Sequence, residues 1–360
     1  MNREPRGRKA ILNVTPSEIS PAAESIANNV DLLTEILLRL PATHTIRFKI
    51  VSKHCLSLLS DSNFAADHSI RNPRPSISAF YFNSEGTPVP VSLHGGRLST
   101  PSLSSFLDGI GKPSRTTVVC SCNGLLLCCD SHFPVSCYGK GRQYIICNPT
   151  TKQYTILPIS HPFESYNRRL YEVASWQAYL AFDPSRSPHY KVLLFRHVLR
   201  LPFELDVYCS QRKCWNKVFP KQRYRGGGVY WNGAFHLLIH DNGLWRFDLD
   251  TEEMTSCLRY SVGLQILEMD KDYRGWMVKC RVDLRPLILE NPEIKSESKW
   301  EVKVLFIVKE EKENAFTLVL AIPKKIVSYN IKRKTWNVLH DLEHNGYVSA
   351  FPFIESLSPI

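Results

Sequence analysis

No part of this chain is apolar for long enough to cross a bilayer, which takes about 20 residues with few charges. The leucine-rich run that ends at Leu40-Pro41 is short and broken by Asp31, Glu35 and Arg39. Met1 to Lys9 is basic but has no apolar core behind it, so no secretory leader is expected. Asn13-Val14-Thr15 is then a glycosylation sequon in form only. Catalytic signatures are missing as well: there is no Gly-x-Ser-x-Gly elbow and no His-Glu-x-x-His pair. Gly109-Ile-Gly-Lys112 lacks the upstream glycine of a phosphate loop and runs into Pro113. Gly226-Gly-Gly228 leads into Val229-Tyr-Trp231, a strand pattern, whereas a phosphate loop opens a helix. The cysteines Cys120, Cys122, Cys128, Cys129, Cys137 and Cys147, with His132 nearby, lack the two spaced pairs of a zinc site. In alternating strands they read as small apolar residues. His236, His240 and Asp241 share one hairpin, and Cys209 and Cys214 flank a turn with no base beside them. No catalytic residue, metal or cofactor is expected, which favours a binding protein.

What is present is a chain of 360 residues, 43% apolar and 11% aromatic, enough for one large or two ordinary globular domains. Eleven cysteines without a leader fit free, buried thiols in a reducing compartment, cytoplasm or nucleus. The net charge of +11 invites a nucleic-acid reading. The basic residues are scattered, however: Arg168-Arg169, Arg212-Lys213, Lys221 to Arg225, Lys324-Lys325, Lys332 to Lys334. They fall at turn-like positions and read as a solvated surface, so neither nucleic acid nor membrane is expected as a partner.

Residues 1–25 mix Arg, Pro, Ser and Glu without periodicity and read as a disordered arm. The next stretch organises the rest. Asp31, after Asn28 and Asn29, caps a helix that Pro41 ends. The helix carries two apolar stripes, Leu33-Leu37-Leu40 and Leu32-Ile36-Leu40, plus Leu38, so its apolar surface wraps past one face. A segment of about forty residues is too small to cover both faces alone, so one should meet a partner protein. Thr43 or Thr45 caps a second helix with Ile46, Ile50, Val51, Cys55, Leu58 and Leu59 at helical spacing. Ser60-Asp61 caps a third piece with Phe64, Ala65 and Ala66.

Three blocks agree in order and spacing from about Asn28 to His68: Asp-Leu-Leu-x-Glu-Ile-Leu-x-Arg-Leu-Pro, Ile-Arg-Phe-Lys-x-Val-Ser-Lys, and Ser-Leu-Leu-Ser-Asp-Ser-Asn-Phe. This segment resembles an F-box, and more narrowly that of plant F-box proteins with a C-terminal F-box-associated β domain. The resemblance implies docking on the Skp-family adaptor of a cullin–RING ubiquitin ligase, with cullin and RING subunits reached through it. It implies contacts from Leu32, Leu33, Ile36, Leu37, Leu40 and Pro41, then Arg47, Val51, Lys53 and Leu58. Asn28-Asn29 stands where the family usually has Leu-Pro, Thr43 where lysine is common, and Cys55 where tryptophan is usual.

Asn72-Pro-Arg-Pro75 ends the helical part. The expected division is therefore an F-box over 26–71, a proline-containing linker over 72–78 and a β domain over 79–360. Two hairpins turn on Asn-Gly: Thr116–Cys122 with Leu125–Cys129, and Val229–Trp231 with Ala234–Ile239. Tyr179–Phe182 with Tyr190–Phe195, and Leu264–Met269 with Trp276–Val282, form others. A strand, polar turn and restart recurs in Tyr144–Tyr154, Leu205–Trp215, Leu244–Met254 and Ile326–Trp336. Such spacing predicts an irregular β-propeller of about six blades. Leu284 to Lys303 is featureless. Ser121-Cys-Asn-Gly-Leu-Leu-Leu127, Asn148-Pro-Thr-Thr-Lys-Gln-Tyr154 and Leu180-Ala-Phe-Asp-Pro184 resemble marks of the F-box-associated, kelch-like domain. The fold expected is thus α+β multidomain, a three-helix F-box followed by an all-β propeller-like domain, with an open sandwich as the alternative.

The tryptophans recur on strands and are expected to pack between blades. Trp176 stands apart in a non-repetitive loop, Ser165 to Gln177, with Arg168, Arg169 and Tyr171, and these four are the substrate-contact candidates. The function expected is a non-catalytic substrate adaptor of an SCF-type (Skp–cullin–F-box) ubiquitin ligase. The alternatives are a propeller interaction protein with a decayed F-box, or a glycan- or nucleic-acid-binding module using the basic turns.

Overall fold

The computed structural model describes residues 25–26, 28–72, 77–83, 88–93, 102–107, 116–130, 143–160, 173–198, 204–218, 227–239, 243–251, 253–259, 265–270, 272, 275–295, 302–310, 315–342 and 349–360. Helix α1 is Val30–Leu37. Its cap is Asn29, not Asp31: the Asn29 side-chain oxygen accepts the Leu32 N–H at 3.1 Å, and Asp31 lies in the first turn, where its charge suits the helix dipole. Pro41 starts the next segment, α2 Ala42–Thr45, which tightens into a 3-10 turn over Ile46–Ile50. The single second helix expected from periodicity is broken at Ser52, extended at φ −156° and ψ 160°, whose hydroxyl caps α3, Lys53–Leu58. Thr45 caps nothing. Its buried hydroxyl, with one proton to donate, lies 3.1–3.3 Å from the Leu37, Leu40 and Pro41 carbonyls at the end of α1. Asp61 caps the last helix, α4 Ser62–Arg71. Leu37, Leu38, Ala42, Leu59, Phe64 and Ala65 form the bundle's core.

Among the described residues the β domain shows six sheets. β1 (Ile77–Phe82) and β2 (Val89–Ser92) precede a short helix α5, Leu103–Leu107. Three four-stranded sheets follow. They are β3 (Thr116–Cys122), β4 (Leu125–Asp130), β5 (Tyr144–Asn148) and β6 (Gln153–Ile156); then β7 (Val173–Ala181), β8 (Lys191–Val198), β9 (Glu204–Cys209) and β10 (Cys214–Val218); then β11 (Gly228–Trp231), β12 (Ala234–Ile239), β13 (Gly243–Asp248) and β14 (Met254–Arg259). A two-stranded sheet of β15 (Gln265–Met269) and β16 (Trp276–Arg281) comes next, followed by α6 (Arg285–Glu290) and a 3-10 turn. The last four-stranded sheet holds β17 (Lys303–Glu310), β18 (Ala315–Ile322), β19 (Lys325–Asn330) and β20 (Thr335–Asp341). β21 (Ala350–Ile354) returns to pair antiparallel with β1, Tyr81 opposite Phe351, and so joins the end of the domain to its start.

Local chemistry accounts for the turns. Asn123 and Gly124 have φ of 45° and 89°, Asn232 and Gly233 of 50° and 78°, the positive values that this pair tolerates best. In the recurring unit, the last residue of the third strand caps its own turn. Asn148 accepts from Thr150 N and Thr151 N, Asp248 from Asp250 N and Thr251 N, and Asn330 from Arg333 N. Lys152, Lys213 and Lys334 take the left-handed position in three of these turns, φ 55–57°.

Two further expectations change. Leu284 to Lys303 contains α6 and the 3-10 turn Pro292–Lys295, whose Leu287 and Ile294 pack on Leu318, Leu320 and Tyr329. Trp176 lies in strand β7, not in a loop, because that strand starts at Val173; its side chain is outside the described residues.

Candidate functional site

The helical bundle leaves several large apolar residues exposed. On α1, Val30 is 47% exposed, Leu32 48% and Ile36 43%. Val51 is 67% exposed, Ile50 90% and Leu56 48%. Arg47, Lys53 and Pro41 are exposed too. Leu33, Leu40 and Leu58 are half-buried against the bundle core. Leu37 departs from expectation: it is 0% exposed, the innermost residue of α1, and cannot touch a partner. Apolar residues surround this helix, so spacing alone did not decide which stripe turns inward; the contact with Phe64, Leu59 and Ala42 does. Residues that sequence reasoning left out, Val30, Ile50 and Leu56, extend the same exposed character, and the adjacent Ile50-Val51 pair was their signal.

Charge fixes the frame behind this surface. Arg71 on α4 donates two hydrogen bonds to the Glu35 carboxylate on α1. That contact, with Arg39 one turn on, holds the Glu35 carboxyl below its usual range. Cys55 is buried in the bundle, so a small thiol fills a core position here.

The bundle sits at the end of the β domain that carries the short turns. Thr43 donates to Glu355 at 2.7 Å, and an open cleft of about 610 Å³ separates the two parts, lined among others by Arg39, His68, Asn123, Asp183 and Glu355. Antiparallel pairing puts the free ends of β3, β4, β7 and β8 at the far end of their sheets. Val173, where the candidate Trp176 strand starts, is among them. Arg168, Arg169 and Tyr171 lie outside the described residues.

Inside the β domain the cysteines join sheets. Cys122 Sγ donates to the Phe182 carbonyl at 3.2 Å, and the Leu180 N–H donates to Cys120 Sγ at 3.4 Å. Burial pushes the Cys120 thiol up to about 11 and that of Cys122 up to about 12. Cys128 and Cys147 pack with Leu126 and Ile145. Cys137 and His132 lie outside the described residues. Trp215 donates to the Pro158 carbonyl of the preceding sheet at 2.7 Å, while Trp231 is 39% exposed. At Gly228 a Cβ would stand 2.5 Å from the Phe235 ring, so the start of β11 needs glycine for close packing. A phosphate has no part in that.

The F-box domain family matches residues 29–66, and the F-box associated beta propeller domain family matches residues 82–274. This chain is a plant-type F-box protein of the F-box-associated β-propeller family. An F-box protein of Arabidopsis thaliana is 31% identical over 95% of this chain and 94% of its own length. A putative F-box/kelch-repeat protein of the same plant is 26% identical over 62% of this chain and 56% of its own. The crystal structure of TolB from Acinetobacter baumannii overlays 78% of this chain and 57% of its own, at 10% identity and a TM-score of 0.32, too low to carry an argument. In this F-box protein, the exposed apolar face belongs to the F-box and the ring of sheets to the associated domain.

Proposed function

We propose that this F-box protein is a substrate-recognition subunit of an SCF-type ubiquitin ligase. One observation carries the reading: Leu32, Ile36 and Val51 present apolar side chains at 48%, 43% and 67% exposure on a bundle whose inner face is already filled. A soluble bundle gains nothing from leaving such a face in water, whereas covering it with a second protein stabilises the pair. The partner is the Skp-family adaptor, and through it the cullin and RING subunits. Arg47 and Lys53, exposed and close to Val51 in the chain, steer the encounter.

The β domain binds a protein substrate, with Arg168, Arg169, Tyr171 and Trp176 as candidate contacts, and it has no chemistry of its own. Ubiquitin transfer arises from holding the substrate beside an enzyme that the rest of the complex supplies. The complex would work in the cytoplasm or nucleus. Mixing the purified chain with a Skp-family adaptor tests this: a stable equimolar complex is expected, and failure to form one sinks the reading.

A further inference from the structure

The last residues of the chain lie between the two domains and contact both. Past β21, residues 355–358 contact the two domains alternately, and the Ser358 N–H donates to the Ser356 hydroxyl at 3.1 Å. Glu355 and Leu357 point to the F-box: Glu355 accepts the Thr43 hydroxyl at 2.7 Å, and Leu357, 6% exposed, completes the core of Leu37, Ala42 and Phe64. Ser356 and Ser358 point to the propeller. The Asn148 side chain, itself fully buried, donates to the carbonyls of Ser356 at 3.0 Å and Ser358 at 2.9 Å. The Ser356 N–H donates to the Thr150 hydroxyl at 3.2 Å, and the two serine hydroxyls meet at 2.8 Å. At Gly124 a Cβ would stand 2.2 Å from the Ser356 Cβ, so the turn leaves room for this strand and for little else.

We propose that residues 355–358 are a clasp that fixes the orientation of the F-box on the propeller. Domains joined by one covalent connection move relative to each other unless an interface holds them. Here the connection from Asn72 to Ile77 is supplemented by a second segment, residues 355–358, that fills an F-box core position on one side and bonds to the propeller on the other. The clasp is independent of the ligase reading. Its use, setting a constant distance from adaptor to substrate, rests on that reading.

The test is single-molecule energy transfer between dyes at Ser57, exposed on the F-box, and Glu253, exposed on the propeller. The full chain is expected to give one narrow distance. Two variants should lose it: a chain ending at Ile354, which keeps β21, and full-length Asn148→Ala, which removes the two bonds from Asn148 to the Ser356 and Ser358 carbonyls but leaves Leu357 in the F-box core. Adaptor binding and circular dichroism of Asn148→Ala report that both domains remain folded. A full chain that is already broad, or a narrow distance kept in both variants, overturns the clasp. Asn148→Ala broadened with adaptor affinity intact supports it and separates its fate from that of the ligase reading.

Discussion

Leu32→Glu and Leu37→Ala separate docking from folding, although the two residues are neighbours on one helix. Full burial of a leucine is worth about 1.5–3 kcal/mol. Leu32 is 48% exposed, so covering the remainder contributes roughly 1 kcal/mol to the complex. A glutamate there forfeits that term and places a carboxylate in an apolar contact, at about 2 kcal/mol or more. The sum, about 3 kcal/mol, weakens adaptor binding about 100-fold, while the thermal unfolding of the free chain stays where it was. Leu37 is 0% exposed, and truncating it to alanine costs the F-box about 2–5 kcal/mol through the cavity left behind. Titration calorimetry with a Skp-family adaptor, beside a melt of each free variant, reads both quantities. The reasoning is refuted if Leu32→Glu binds like the parent, or if its melt drops as far as that of Leu37→Ala.

In the propeller, Arg196 is 1% exposed and bonded to Asp206, 0% exposed, with Glu204 at 3.2 Å. Arg196→Met should cost about 3–5 kcal/mol by taking the arginine away from the buried Asp206 carboxylate, and adding Asp206→Leu should restore much of it; denaturant unfolding checks both. Burial, then the nearby Arg246 charge, hold the His236 imidazole below its ordinary 6.5. The unfolded chain therefore takes up that proton first, and stability is lost as pH falls through about 6.5. In pH-dependent melts His236→Gln should flatten that slope, and an unchanged slope contradicts the assignment. Cys214 is exposed while burial raises Cys120 and Cys122. A neutral-pH thiol reagent followed by peptide mapping should find Cys214 modified well before those two.

Local patterns were legible because local chemistry dictates them. Asn123-Gly124 and Asn232-Gly233 announce their hairpins through backbone angles that few other pairs adopt. Asn148, Asp248 and Asn330 mark the recurring turns because each caps its own. The excess of apolar residues on α1 was equally plain, but not its direction. Leu32, Leu33, Ile36, Leu37 and Leu38 surround the helix, and only tertiary contact with Phe64 turns Leu37 inward. The break at Ser52 went unseen because apolar spacing continues through it, although a serine able to cap at that point was a usable signal. Pairing of β21 with β1 and the alternating contacts of residues 355–358 join segments far apart in the chain. No short-range pattern encodes such contacts.

The most direct test of the account is hydrogen exchange on the chain alone and with a Skp-family adaptor. The account predicts an equimolar complex in which amides of Val30–Ile36 and Ile50–Leu56 gain protection while the strands of the propeller stay unchanged. No complex, or protection confined to the propeller with the F-box face still exchanging freely, would contradict it.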